Sequence, residues 1–303
     1  MNKLLILTLL NIPGFGRAKS KAVIESNNSK IENISDLYSS IIDANFTQPK
    51  IHVPLLRDVE HAYSLASNII DKSKELNVEI TSYLENKYSR SLLNISNFPL
   101  IIYSKGNLDL FDTPPKVAVV GTRRPSELGI KLGSRITEIF VQNNLVIVSG
   151  LALGCDTIAH QTCIAKGGKT ISVLASGLDE IYPKSNLKLS KEIIDSGGLL
   201  ISEYPIGVLP RNNYFVERNR IQSGISNGVC VIETEIKGGT MRTVEFAEKQ
   251  KRIIGCVFTK DLINNEIYNK GNQLLIKENR AYSLSNAEEI GKFISEINHF
   301  KYF

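Results

Sequence analysis

A chain of 303 residues with 42% apolar and 22% charged side chains has enough nonpolar surface for one large or two modest cores, which excludes full disorder. Thirty-six Lys and Arg against 31 Asp and Glu give a formal charge of +5, short of the strongly basic balance of many nucleic-acid binders, so charge alone names no partner. The longest apolar run near the start, Leu4 to Leu10, is too short to span a bilayer and no clear cleavage site follows it, so the expectation is a cytoplasmic address with no membrane partner.

Residues 1–112 read as a small helical domain. Leu4 to Leu10, Ser20 to Glu25, Ile34 to Ile42 and His61 to Asn77 carry helix-like apolar spacing, broken by Pro13-Gly14, Asn27-Asn28 and Pro49, with no convincing alternating strand. A linker is expected over Asp109 to Pro115, where Thr113-Pro114-Pro115 cannot continue a helix. Residues 113–303 then alternate strands with amphipathic segments. Val117-Val120, Leu145-Val148, Thr170-Leu174, Leu199-Ile201, Val229-Ile232 and Ile253-Val257 predict strands. Glu127-Gln142, Thr157-Lys166, Leu187-Ser196, Phe215-Ser226 and Met241-Lys251 predict crossover helices, and Ala287 to Ile297 a terminal one. Fully apolar strands separated by helices imply an α/β fold, a doubly wound and mostly parallel Rossmann-like sheet covered on both faces. The four cysteines lack CxxC spacing and lie in or beside apolar segments, so buried reduced thiols are expected, with no metal and no cofactor.

Ligands of such sheets bind beyond the carboxyl ends of the strands. The first strand runs into Gly121-Thr122-Arg123-Arg124, two guanidiniums where a helix begins, a pattern suited to phosphate. The second leads to Ser149-Gly150-Leu151-Ala152-Leu153-Gly154-Cys155-Asp156, whose glycines allow a nest of main-chain N–H groups; Asp156 reads as the residue that holds this loop. This loop is not the GxGxxG fingerprint and no Walker Lys-Ser/Thr follows it, so nicotinamide and ATP chemistry lack their usual anchor there. His160 reads as a packed side chain, with no nucleophile securely placed beside it. After the third strand, from Gly177, come Tyr182, Lys184 and Asn186, a ring, an ammonium and an amide of the kind that stack bases and neutralise a backbone. Arg218 and Arg220, flanking Asn219, are two apart on one helix, so at most one points into the cleft and the other pairs or faces solvent. Gly238, Gly239 and Thr240 open another helix and offer a further phosphate cradle.

These blocks resemble the DNA-processing protein A (DprA/Smf) family: Val-Gly-Thr-Arg at 120–123, Ser-Gly-Leu-Ala-Leu-Gly-Cys-Asp at 149–156, Gly-Leu-Asp-x-x-Tyr-Pro at 177–183, Ser-Glu-Tyr-Pro-Ile-Gly at 202–207 and Arg-Asn-Arg-Ile at 218–221. The similarity spans Phe98 to Ile297, and Ile12 to Ala18 is similar to the family's helix-hairpin-helix turn. The resemblance implies a non-catalytic protein that binds single-stranded DNA, forms a homodimer and helps load RecA during natural transformation. It implies backbone contacts from Arg123, Lys184 and Arg218 or Arg220, with the 150–154 loop shaping the pocket. The chain departs from the family at Lys237-Gly238-Gly239-Thr240-Met241-Arg242-Thr243 and at Gly255-Cys256, and is read as a divergent member without the C-terminal winged-helix domain. Two alternatives remain. Gly238-Gly239-Thr240 with Glu245 is a loose echo of the lysine-decarboxylase-like (LOG) phosphoribohydrolases, in which Glu245 would assist glycosidic cleavage, and the same cleft would also suit a nucleotide sensor.

Overall fold

The structure is a computed structural model that describes residues 2–26, 31–111, 115–259 and 269–300. It divides into two compact units, residues 1–88 with 99–103, and residues 89–98 with 104–303. The domain boundary expected at 112–113 and the break at Asn27-Asn28 lie outside the described residues.

The first unit contains α1 (Lys3–Asn11), α2 (Arg17–Ser26), α3 (Ile34–Thr47) and α4 (Leu56–Glu75), followed by a strand β1 (Glu79–Ser82). Asn2 caps α1 by accepting from Leu5 N–H, and Asn33 with Asp36 forms a capping box on α3. The helices close on Leu5, Leu9, Ile12, Phe15, Val23, Leu37, Ile41 and Val59. The turn between α1 and α2 sets the Phe15 ring edge-on to His52, centroids 5.3 Å apart.

Next come α5 (Arg90–Leu93) and β2 (Ile101–Gly106). β1 and β2 fall where the sequence shows no clear alternation. Seven of their ten residues, in unbroken runs of three and four, are buried, which removes the period-two signal.

The second unit is built on β3 (Lys116–Val120), α6 (Glu127–Gln142), β4 (Val146–Ser149), α7 (Cys155–Ala165), β5 (Thr170–Leu174), α8 (Leu187–Asp195), β6 (Leu199–Ser202), α9 (Asn212–Gly224), β7 (Gly228–Val231), α10 (Gly239–Lys249), β8 (Ile253–Val257), α11 (Lys270–Lys277), β9 (Tyr282–Leu284) and α12 (Ala287–His299). Its strands lie in the order β6-β5-β4-β3-β7-β8-β9, all pairs parallel. Helices α6 and α7 pack on one face with α12, where Phe140 meets Phe293 at 6.0 Å between centroids; α9 and α10 pack against each other elsewhere on the sheet. Val117, Val119, Ile147, Cys230 and Ile232 are shut from water in the α6 and α7 layer, and each such burial favours folding by about 1.5–3 kcal/mol. All four cysteines are buried thiols whose pKa burial pushes up.

The order reverses at one place. From β3 the chain steps outward through β4, β5 and β6, then returns on the other side of β3 with β7. The carboxyl ends of β3 and β7 therefore border a crevice that no crossover covers, where doubly wound sheets take their ligands.

Candidate nucleic-acid interface

The turn after β3 is tied to the turn after β7. Thr122 N–H donates to Glu233 O at 2.8 Å, and Ser126 donates its N–H and its hydroxyl to the Glu233 carboxylate at 2.8 and 2.5 Å. The Ser126 hydroxyl oxygen in turn accepts from Gly129 N–H at 2.9 Å, which caps α6. Thr234 N–H donates to Asn272 Oδ1, and the Asn272 amide donates to Ile232 O and Val257 O. Glu233 and Asn272 thus fix the two lips of the crevice.

Asp156 fixes a third loop. Its Oδ2 accepts from Gly150 N–H at 3.1 Å and Ala152 N–H at 3.2 Å, so two amides of the expected nest already hold the protein's own carboxylate. Gly150 has a further reason to be glycine: a Cβ there would occupy the space of the Arg218 guanidinium. Gly154 adopts φ +75° at the start of α7, a left-handed region costly to other residues. Arg218 Nη1 donates to Val173 O at 2.7 Å while its charge attracts Asp156. Burial raises the Asp156 carboxyl above the usual range, and Arg218 and the loop N–H groups oppose that rise.

The cleft so formed has a volume of about 360 Å³ and is lined by Gly121, Thr122, Arg123, Ala152, Arg218, Asn219, Gly238, Gly239 and Thr240, together with Phe215 and Gln222. A smaller notch adjoins it, bounded by Arg123, Ala152, Leu153, Tyr182, Pro183 and Phe215. Arg123 lies over the Phe215 ring at 5.1 Å, and Tyr182, 47% exposed, is tilted against the same ring at 5.6 Å. Arg124 and Lys184, the chain neighbours of Arg123 and Pro183, are exposed but line neither the cleft nor the notch, and among the described residues neither they nor Arg123 form an ion pair.

The remaining expected residues are engaged inside the domain. Ser149 donates to Val119 O, Gly177 N–H donates to Val208 O, and the buried Asn186 amide donates to Leu151 O and Thr157 Oγ1. Arg220 turns away from the cleft to Glu203 and Glu217, as two-residue spacing requires when Arg218 points in. His160 Nδ1 bonds Thr170 Oγ1, and since that hydroxyl donates to Ile147 O the imidazole is the donor; burial holds it neutral, with its pKa lowered to about 3. Phe215, Gln222 and Glu233 escape a sequence reading. Tyr214-Phe215 at a helix start is a visible aromatic signal, whereas Gln222 and Glu233 acquire their places only through the fold.

The profile of the family described as DNA recombination-mediator protein A matches residues 79–295. The chain belongs to that family. Among curated relatives, DNA processing protein DprA of Streptococcus pneumoniae is 43% identical over 171 residues, 56% of this chain and 60% of that protein. Protein Smf of Synechocystis is 37% identical over 186 residues, 60% and 46% of the two chains. The chain thus spans less than two thirds of the length of these two relatives. DNA processing protein DprA of Bacillus subtilis is 32% identical over 203 residues, 67% and 68% of the two chains. The X-ray structure of DNA processing protein A from Streptococcus pneumoniae aligns over 100% of this chain and 99% of its own, with a TM-score of 0.80 at 29% identity. A structure of DNA processing protein A from Helicobacter pylori, described for its single-stranded DNA binding mode, aligns over 72% of this chain and 97% of its own, with a TM-score of 0.64 at 29% identity.

Proposed function

We propose that the protein binds single-stranded DNA along the carboxyl-end rim of its parallel sheet and acts as an accessory protein of DNA uptake and recombination. One observation carries this reading: exposed Arg123 lies over the Phe215 ring with Tyr182 against the same ring, a cluster that offers ring faces beside positive charge, and among the described residues neither Arg123 nor its exposed chain neighbour Arg124, nor Lys184 two residues after Tyr182, forms an ion pair. Phosphates are neutralised by the cations while unpaired bases stack on the rings, a mode that does not distinguish one base from another. The relatives' names and the strand-binding description of the Helicobacter pylori protein support the same reading.

The reading extends to a cytoplasmic homodimer that hands the strand to RecA, to be tested by light scattering and by RecA filament growth on coated DNA. It assigns no catalysis. Glu245, the group a phosphoribohydrolase would need, is ion-paired with Arg242 at 2.9 Å and is not among the cleft's lining residues.

The test is a displacement series. Labelled oligo-dT is bound and then challenged with unlabelled oligo-dT, with duplex of equal length and with thymidine monophosphate. The single strand should displace most strongly, the duplex about tenfold less because its bases cannot reach the rings, and the mononucleotide least. Displacement by the mononucleotide as effective per mole as by the oligomer overturns the reading.

A further inference from the structure

The floor of the cleft holds two donors with no hydrogen-bond partner among the described residues. Arg218 is 5% exposed and its Nε–H has no partner; Gln222, one turn further along α9, is 2% exposed and its Nε2 has none either. Both line the cleft. Buried polar atoms are ordinarily satisfied; other buried atoms of the chain also lack a partner, but Arg218 and Gln222 both border an open cleft that an acceptor from outside the chain can enter.

The facing wall is the first turn of α10. Gly238 sits at its N-cap with no side-chain cap bond, Gly239 and Thr240 follow, and the turn has no acidic residue. Its amide N–H groups and the positive end of its dipole therefore meet the cleft. Arg123 stands at the mouth. Two carboxylates also border the space: Asp156 is already held by Gly150 and Ala152 N–H and attracted by Arg218, and Glu235 is exposed at the rim.

We propose that this recess seats a terminal phosphomonoester, the phosphate at one end of a DNA strand. The proposal rests on the single-strand reading above and adds an end preference to it. At about 360 Å³ the space is at the small end of single-ligand pockets, which run to roughly 1,000 Å³. It suits one nucleotide with its phosphate better than a strand that must enter and leave. An internal phosphodiester brings two free oxygens, one charge and a nucleotide on either side. A terminal phosphate brings three acceptor oxygens and nearly two charges at neutral pH. The Arg218 Nε–H, the Gln222 amide, the α10 amides and Arg123 match the second set. With its end so held, the strand continues over the Phe215 and Tyr182 rings towards Lys184.

The experiment compares one oligo-dT in three forms, with a 5′-phosphate, with a 3′-phosphate and with hydroxyls at both ends, by fluorescence anisotropy at fixed salt. One phosphate-ended form should bind about tenfold tighter than the hydroxyl-ended form, as one charge-assisted hydrogen bond allows. Gln222→Met removes the donor at similar volume and Gln222→Glu places a carboxylate on the floor; both should bring the ratio close to one. Glu235→Gln should raise it. Each ratio is internal to its variant, so a general loss of affinity does not mimic the effect, and a melting curve establishes that each variant folds. If one Gln222 variant fails to fold, the other and Glu235→Gln still decide. Phosphate-ended forms that bind within about twofold of the hydroxyl-ended form in the wild type, or a preference that persists in a folded Gln222 variant, overturn the proposal and leave the single-strand reading standing. Failure of every oligonucleotide to bind removes that reading itself.

Discussion

Arg123 and Arg218 both border the cleft, but burial gives them different work. Arg123 is exposed and rests on a ring, so Arg123→Ala should weaken oligo-dT binding by about 1–2 kcal/mol, roughly tenfold, and leave the melting temperature unchanged. Arg218 compensates a buried carboxylate. Arg218→Met leaves Asp156 without its counter-charge and should cost about 3–5 kcal/mol of stability, read by urea unfolding at neutral pH. His160 gives a pH signature. Its folded pKa of about 3 lies below the ordinary 6.5, so below pH 6.5 the unfolded chain binds the extra proton and the native state does not. Stability from this group is therefore complete above about pH 6.5 and falls by roughly 1.4 kcal/mol per unit as pH drops towards 3. Unfolding curves for wild type and His160→Gln at several pH values should converge in slope only outside that window; identical slopes within it would contradict a neutral buried imidazole. The basic loops and the holding role of Asp156 were legible from residue type and spacing. The orphaned Gln222 donor was not, because its isolation depends on which atoms the surrounding helices and strands bring near it.

Among the elements, α9 separates binding from stability most cleanly. Its two arginines diverge: Arg218 enters the cleft, while Arg220, only 1% exposed, is held by Glu203 and Glu217. Arg220→Met should therefore destabilise the protein by about 3 kcal/mol yet leave the salt dependence of DNA binding as in the wild type, the reverse of Arg123→Ala. A loss of binding slope in a folded Arg220→Met protein would show that the helix has been read in the wrong rotation. The six strands and six helices expected after residue 115 are all present, with ends displaced by at most a few residues. Long apolar runs and strong helical periodicity made them readable. β9 was not, since Tyr282–Leu284 has three residues and only one of them is buried. The glycines of the 150–154 loop were readable as sites of close approach, but the group that approaches Gly150 is an arginine of this chain, which no local pattern announces.

At the scale of the molecule, the site exists because the strand order reverses between β3 and β7, leaving the turns after these strands to face each other across an open crevice. Alternation of strands and helices predicts a doubly wound sheet, and a parallel sheet puts every strand-end turn on one rim. Which two turns meet depends on the crossover directions, a global property. The cations that border this rim are few and the whole chain carries only +5, so any binding to a polyanion must come from their placement. The most direct test is the affinity for oligo-dT measured over a range of salt concentrations in wild type, Arg123→Ala and Lys184→Ala. Phosphate neutralisation predicts a linear fall of log K with log salt, shallower by about 0.7 for each cation removed. A wild-type affinity that ignores salt, or the same slope in all three proteins, would contradict a phosphate-binding rim.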